Sequence, residues 1–450
     1  MTPFSGEAYE LFHEGALALA DIEATGIRVD VPYLNGQMEK LEAQILDINR
    51  RLWRAPEARQ WKEKFGSKTN LESNKQLASI LYGEMGYKAS HSTRKGSAST
   101  NDDALAEIGT SFTDTILSKR KLSKVRDTYV AGLLKNQVNG LLHPSFNLHS
   151  VLSFRSSSDH PNFQNMPMHD REAMGIVRRA IVPHSPEDSI GEIDYKSAEV
   201  RIAACYHKDP AMIAYIEDPS KDLHLDMACE CFFLKKGQVT KEIRYTVKGN
   251  FVFAAFYGSY FELMAPALWK NAALLGLSDR TPLRTWLREK GIKNLSDFTD
   301  HIETVENHFW NKRFPRYAKW KKDWHQQYLK RGWIEMLSGF RCLGPMSRNA
   351  CINYPIQGAS FHCLLWSLVQ LQKWLVANEM KTRIIGQIHD SIVLNFAADE
   401  LHTVLRKARK VMREDIRKHW KWIVVPMDIE AEVAPIGRPW NEKEVMEIIP

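Results

Sequence analysis

The chain has 450 residues, with 61 Lys plus Arg against 54 Asp plus Glu, for a formal net charge of +7. Its 44% hydrophobic and 26% charged residues are ordinary globular values that allow a large core and exclude a mainly disordered chain. Six cysteines are too few for a disulfide scaffold, no apolar run reaches the roughly 18 residues of a membrane helix, and the charge permits a nucleic-acid partner without demanding one.

Glu7, Glu10, Glu14 and Asp21 near the start are unlike a leader peptide, so a soluble, intracellular, cytoplasmic chain is expected. Glu7 to Ala24 is rich in Ala and Leu at helical spacing, and Gly26 stops it. Ile27 to Val31 reads as a short extended piece. Pro32 then opens a second helix reaching about Trp53. Residues 88–103 are Ser, Thr, Lys and Asp with almost no apolar content, an exposed loop. Lys119, Arg120, Lys121, Lys124 and Arg126 form a basic stretch on a helical pattern that runs to Leu134.

Ser189 to Tyr195 is a short extended segment ending on Asp194, followed by a helix-like run from Ser197 to Tyr206. Residues 205–340 are mostly helical. Arg244 and Lys248 share one helix face at i and i+4, followed by aromatics and Tyr257-Gly258; Asp222-Leu223-His224 lies upstream. Two cations on one face suit a triphosphate, Lys as a point charge and Arg as a fork, although a solvated charged face fits the same spacing. Two β-rich runs, Arg383 to Ile388 and Ser391 to Leu394, meet at His389-Asp390, the signature of a hairpin. Asp194 and Asp390 on neighbouring strand ends could bridge a pair of Mg²⁺ ions; each also suits a turn or helix N-cap. No repeat or flexible linker divides the chain.

Read together, these clusters resemble the family A DNA polymerases, the class of bacterial DNA polymerase I and many bacteriophage replicases. Glu14 to Asp30 resembles the entry to the polymerase region, and Thr128-Tyr129-Val130 with Leu142-His143-Pro144 its thumb-to-palm passage. Arg155 to Ser158, then Pro161 to Pro167, is similar to the primer-template signature. Asp194 to Arg201 resembles motif A; Arg244, Lys248 and Tyr257-Gly258 resemble motif B. Asn353-Tyr354-Pro355-Ile356-Gln357-Gly358 resembles a palm signature, and Ile388 to Ser391 resembles motif C. Six such motifs in the family's order span nearly the whole chain.

The resemblance implies an α+β right-hand polymerase fold with an antiparallel palm sheet and helical thumb and fingers. Residues 1–30 would pack on the palm, 31–135 form the thumb, 136–204 and 341–450 the palm, and 205–340 the fingers. It implies template-directed addition of dNMP from dNTP to a primer 3′ end. Asp194 and Asp390 would hold two Mg²⁺ ions, with the Tyr195 carbonyl as a further ligand. Arg244, Lys248 and His224 would grip the β- and γ-phosphates, and Lys248 would also protonate the pyrophosphate. Glu199 sits where the family excludes a ribose 2′-hydroxyl. Phe253 and Tyr257 would face the incoming nucleotide. Arg155, Asn353, Gln357 and His389 would contact the primer terminus and the minor-groove edge of the new pair, where acceptors are nearly alike for all pairs. Lys119, Arg120, Lys121 and Lys124 would track duplex phosphates. Expected partners are primer-template DNA and dNTP, with room for a processivity factor, helicase or primase, and none in a membrane.

Some positions depart from the pattern. Ser391 stands where motif C commonly has Glu, so the site should rest on two Asp residues, as in phage-type members; a viral chain would work in the host cytoplasm. Lys196-Ser197 replaces a frequent Ser-Gln pair. Motif B is one residue longer than usual between Lys248 and Tyr257. In a regular helix Phe253 and Tyr257 would then face away from Arg244 and Lys248, with Val252 and Phe256 nearer. A π-bulge or local break between 248 and 253 is therefore expected.

Other features read as structural. Asp21-Ile22-Glu23 mimics an exonuclease motif but lies on the entering helix, and the length is expected to leave no room for a proofreading domain. Cys229-Glu230-Cys231 has the wrong spacing for zinc and reads as core. Arg406 to Lys421 reads as a basic amphipathic helix with a solvated face. Two other functions stay open: a single-subunit RNA polymerase, against which Glu199 and the Arg155 to Pro167 signature speak, and a catalytically inactive duplex-binding factor.

Overall fold

A computed structural model describes residues 2–89, 91–93, 96–167 and 170–448. At its centre five antiparallel strands stand in the order Arg383–Ile388, Ser391–Phe396, Ser189–Tyr195, Ile429–Val433, Glu444–Met446. The expected hairpin is present, closing on His389 and Asp390. The strand carrying Asp194 is inserted between it and the C-terminal strands, with Asp194 opposite Ser391 on one side and Glu430 on the other.

The back of the sheet is covered by Arg348–Ala377, a 30-residue helix whose buried face includes Phe361, Leu364, Leu365 and Leu368. The helix Gly6–Thr25 packs against it so closely that a Cβ on Gly15 would stand 2.8 Å from Leu365. Gly26 ends this first helix at φ 75°, a left-handed conformation few side chains accept. Asp30 then caps Val31–Arg54 through a 3.0 Å bond from the Tyr33 amide, with Pro32 in the first turn as expected.

Val31–Arg54 and Ser111–Lys124 enclose a separate apolar cluster of Ile48, Leu52, Trp61, Leu81, Phe112 and Ile116, all within the expected thumb. Ser111–Lys124 continues through a π-helical turn to Asn136. Between 205 and 332 the chain is mainly helical, around a core that includes Phe251, Phe309, Phe314 and Tyr317. In the loop expected over 88–103, positions 90, 94 and 95 lie outside the described residues. Among the described residues no helix is long and apolar enough to cross a membrane.

Candidate active site

A cleft of about 460 Å³ opens above the end of the central strands. Asp194, Tyr195, Glu199, Lys248, Phe253 and Tyr257 line it together with Arg155, Asn353, Gln357, His389 and Asp390. Eleven of the residues expected from sequence, drawn from five separate segments, thus meet in one place.

The two aspartates are fixed by backbone pairing. The Tyr195 amide donates to the Asp390 carbonyl over 3.3 Å, and the hairpin turn places His389 at φ 48°. Such a left-handed residue is typical of a two-residue turn. Asp194 is open to the cleft, yet desolvation by the walls and the neighbouring Asp390 raise its pKa to about 7. Burial raises Asp390 as well, while Arg155 opposes the shift. Its Oδ1 atom is buried without a hydrogen-bond donor, and the Arg155 guanidinium is 3.8 Å away. Two crowded carboxylates with an unsatisfied oxygen suit a divalent cation. Among the described residues no group of three or more His, Cys, Asp or Glu side chains is arranged to hold a metal.

The Tyr195 side chain cannot join them. Its ring is fully buried and its hydroxyl is bonded to Ser367 and to the Met412 carbonyl, which leaves only its backbone for a ligand role. Ser197 begins the next helix at φ 52°, and Glu199 in the first turn points into the cleft. Glu199 accepts from the Tyr257 hydroxyl and lies 3.4 Å from Arg155 Nη1. Burial raises its pKa, partly offset by the tyrosine bond.

The helix bearing Lys248 contains the expected irregularity. Lys241–Val247 passes into a π-helical turn over Lys248–Phe253 before Ala254–Phe256. The wider turn sets Lys248 Nζ 5.3 Å from the Phe253 ring. Val252 is wholly buried, whereas Phe253 lines the cleft. His224 meets the Phe253 ring edge-on at 5.7 Å, and burial with the nearby Arg244 and Lys248 lowers its pKa to about 4, so the imidazole is neutral.

Several expectations need correction. Arg244 does not line the cleft; its guanidinium forks onto Asp222, with Nε 2.6 Å from Oδ2 and Nη2 3.1 Å from Oδ1. The expected row of duplex-tracking cations is not free. Lys119 is turned inward to Glu72, Arg120 bonds the Thr100 carbonyl, Asn74 and Asp102, and Lys121 bridges Asp170 and Glu172. Lys124 alone of the four is exposed without an ion pair among the described residues. Asn353 and Gln357 stand inside the helix Arg348–Ala377, which Ser347 caps and which carries Pro355 in its interior. Asn353 Nδ2 donates to the Tyr257 carbonyl at 3.2 Å and so ties the two walls together.

One group escaped the sequence. Gln387 is 1% exposed, accepts from Ser156 Oγ at 2.7 Å and Gln164 Nε2 at 2.6 Å, and donates to the His389 carbonyl at 2.6 Å. It thereby fastens the primer-signature loop to the turn bearing Asp390. Its place two residues before His389, inside an apolar strand, was the available signal. The structural readings of Glu23 and Cys231 agree with their surroundings: Glu23 accepts from the Phe146 amide, and Cys231 is fully buried.

The family model described as DNA polymerase family A matches residues 38–273 and 293–442. A DNA polymerase of Bacillus phage SP01 is 27% identical across 95% of this chain and 50% of its own length. DNA polymerase I of Geobacillus stearothermophilus is 26% identical across 93% of this chain and 44% of its own. The chain spans about half the length of the curated relatives it matches. Among solved structures, the POL domain of Pol1 from M. smegmatis, in complex with DNA primer-template and dNTP, superposes with a TM-score of 0.76. That match has 24% identity and covers 95% of this chain and 70% of the other, giving the right-hand polymerase fold.

Proposed function

This chain belongs to DNA polymerase family A, and from that premise we propose that its cleft adds dNMP from a dNTP to a primer 3′ end under direction of a template. The observation that carries the reading is the meeting of Asp194 and Asp390 with Lys248 and Phe253 in one cleft.

Polymerases of this family generally use divalent metal ions. Here Asp194 and Asp390 would hold them, as a pair of Mg²⁺ ions with the Tyr195 carbonyl as a further ligand. Such ions supply charge neutralisation for attack by the primer hydroxyl and for departure of pyrophosphate. The protein does the rest by positioning. Phe253 gives the incoming base a flat apolar face, and Lys248 beside it meets the triphosphate as a cation and passes a proton to the leaving pyrophosphate. Neutral His224 donates one hydrogen bond to the same phosphates. Arg244 already holds an oxygen pair on Asp222 in the fork geometry that two phosphate oxygens require, so exchanging partners costs little rearrangement.

Glu199 closes the side of the cleft where a ribose 2′-hydroxyl would stand, with Tyr257 holding it there. Arg155, Asn353, Gln357 and His389 line the same cleft and suit the primer terminus and the minor-groove edge of the nascent pair. The test is extension of a labelled primer-template with dNTP and Mg²⁺, run beside rNTP. Extension with dNTP that disappears in Asp194→Ala supports the assignment. Unchanged incorporation in that variant would refute it.

A further inference from the structure

Among the described residues, a run of cations without carboxylate partners lies on the helical stretch that follows the motif C hairpin. Leu401–Arg409 continues through a π-helical turn over Lys410–Asp415 into Ile416–His419. Val404, Leu405, Ala408, Val411, Met412 and Ile416 are buried on its inner side. Arg406, Lys410 and Arg417 are exposed on the outer side, and Arg409 is half-buried.

Between 406 and 418 the sequence has Arg406, Lys407, Arg409, Lys410, Arg413, Arg417 and Lys418 against only Glu414 and Asp415. The stretch makes two ion pairs, Arg413 with Asp428 and Lys418 with Asp415. Among the described residues, Arg406, Arg409, Lys410 and Arg417 have no carboxylate partner. A face that only confers solubility mixes the two signs. This one repels itself until an anion arrives.

Its location and composition narrow the anion. Arg409 and Arg413 share a surface pocket of about 370 Å³ with Glu447, with the apolar Ile429, Val445 and Ile448, and with Lys196, which is paired with Glu430. Lys196 directly follows the strand that carries Asp194, so the basic face begins beside the catalytic strand. From Arg406 to Arg417 the helical rise gives about 16 Å, a length over which duplex DNA presents about nine charges. Residues 401–419 contain no exposed large hydrophobic side chain. Val445 is the strongly exposed apolar side chain in the adjoining pocket, so unpaired charge rather than apolar anchoring dominates this face, as a phosphodiester backbone requires.

We propose that this face binds the phosphodiester backbone of DNA and lengthens the grip on the substrate beyond the cleft. The inference rests on the polymerase reading of that cleft.

The full chain and the triple variant Arg406→Gln, Lys410→Gln, Arg417→Gln are titrated with labelled primer-template over a series of salt concentrations. A charge-matched control neutralises Lys235, Arg288 and Lys293, all exposed elsewhere. One series lengthens the template's single-stranded overhang, and another lengthens the duplex, which separates the two sources of backbone. The triple variant should raise Kd at least tenfold at low salt. In the series that reaches the face, the slope of log K against log salt should shrink by about 2–3, at about 0.7–0.9 per lost phosphate contact. The control should keep the parent slope. Equal slopes in triple variant and parent, or an equal loss in the control, overturn the proposal. So does a loss of binding to polyglutamate with DNA binding intact. Primer extension by the parent is scored separately, and its absence would refute the polymerase reading while the slopes still judge this face.

Discussion

The Tyr195 amide and the Asp390 carbonyl are joined by a 3.3 Å hydrogen bond, which holds the segments bearing Asp194 and Asp390 side by side. Backbone pairing brings like charges together at a place the carboxylates would not choose. The cost appears in Asp194, raised to about 7 by desolvation and by Asp390.

That cost has a pH signature. Because the folded value lies above the unfolded one, Asp194 leaves stability intact below about pH 4. It removes stability as pH rises from there through about 7. Without divalent cations, thermal melts of the parent should fall over this window relative to Asp194→Asn, and the two curves should converge at low pH. Adding Mg²⁺ at pH 8 should raise the parent Tm and leave Asp194→Asn nearly unmoved. Parallel curves at all pH values would remove the electrostatic account.

Glu199 and Tyr257 should act together in sugar selection. Glu199→Ala opens the wall of the cleft, and rNTP incorporation relative to dNTP should rise about tenfold to a few hundredfold. Tyr257→Phe keeps the ring but frees Glu199, so a smaller rise is expected. Single-nucleotide incorporation with each sugar measures both.

The π-helical turn over Lys248–Phe253 can be erased by deleting Gly249, which is exposed with no atom within 4 Å of where its Cβ would stand. With one residue fewer, a regular helix sets Phe253 four positions after Lys248, about 40° away on the same face, so the ring stays on the cleft. We expect kcat/KM for dNTP to stay within a few-fold of the parent's with primer-template affinity unchanged; a loss of tenfold or more would mean that the wider turn itself is needed. Gly249→Ala, which keeps the register, should retain activity and gain about 0.5–1 kcal/mol in stability.

Gln387→Leu would remove the acceptor of the Ser156 hydroxyl, one of the two acceptors of Gln164 Nε2 and the side-chain donor to the His389 carbonyl, in a buried place. The loss should be about 2–5 kcal/mol in chemical denaturation. At a temperature where the variant is folded, kcat should fall more than KM for dNTP does, because the turn bearing Asp390 is loosened and the nucleotide side is not.

Much of the site was legible because local pattern carries it. The strand ending on Asp194, the hairpin tip at Asp390 and the extra residue after Lys248 are all features of short windows, and each is found where its window puts it. Partners from distant segments were not legible. Lys119 reads as a surface cation until Glu72 is folded against it, and Arg244 reads as a free fork until Asp222 occupies it. Gln387 looks like a polar interruption in a strand because Ser156 and Gln164 come from another part of the chain. Arg406 to Lys421 contains the amphipathic helix with a solvated basic face that its sequence suggests, but the sequence does not reveal how few of those charges are neutralised.

The strand order also governs when the site comes into being. The strand ending on Asp194 finds both its neighbours, Ser391–Phe396 and Ile429–Val433, only about 200 residues later in the chain. During synthesis that strand has no sheet to join until the ribosome has released nearly everything else. Helical segments that close on near neighbours in sequence are free to form first. Nascent chains halted before residue 391 should therefore carry much of the helix and no catalytic pair, and activity should arise abruptly with the last strands.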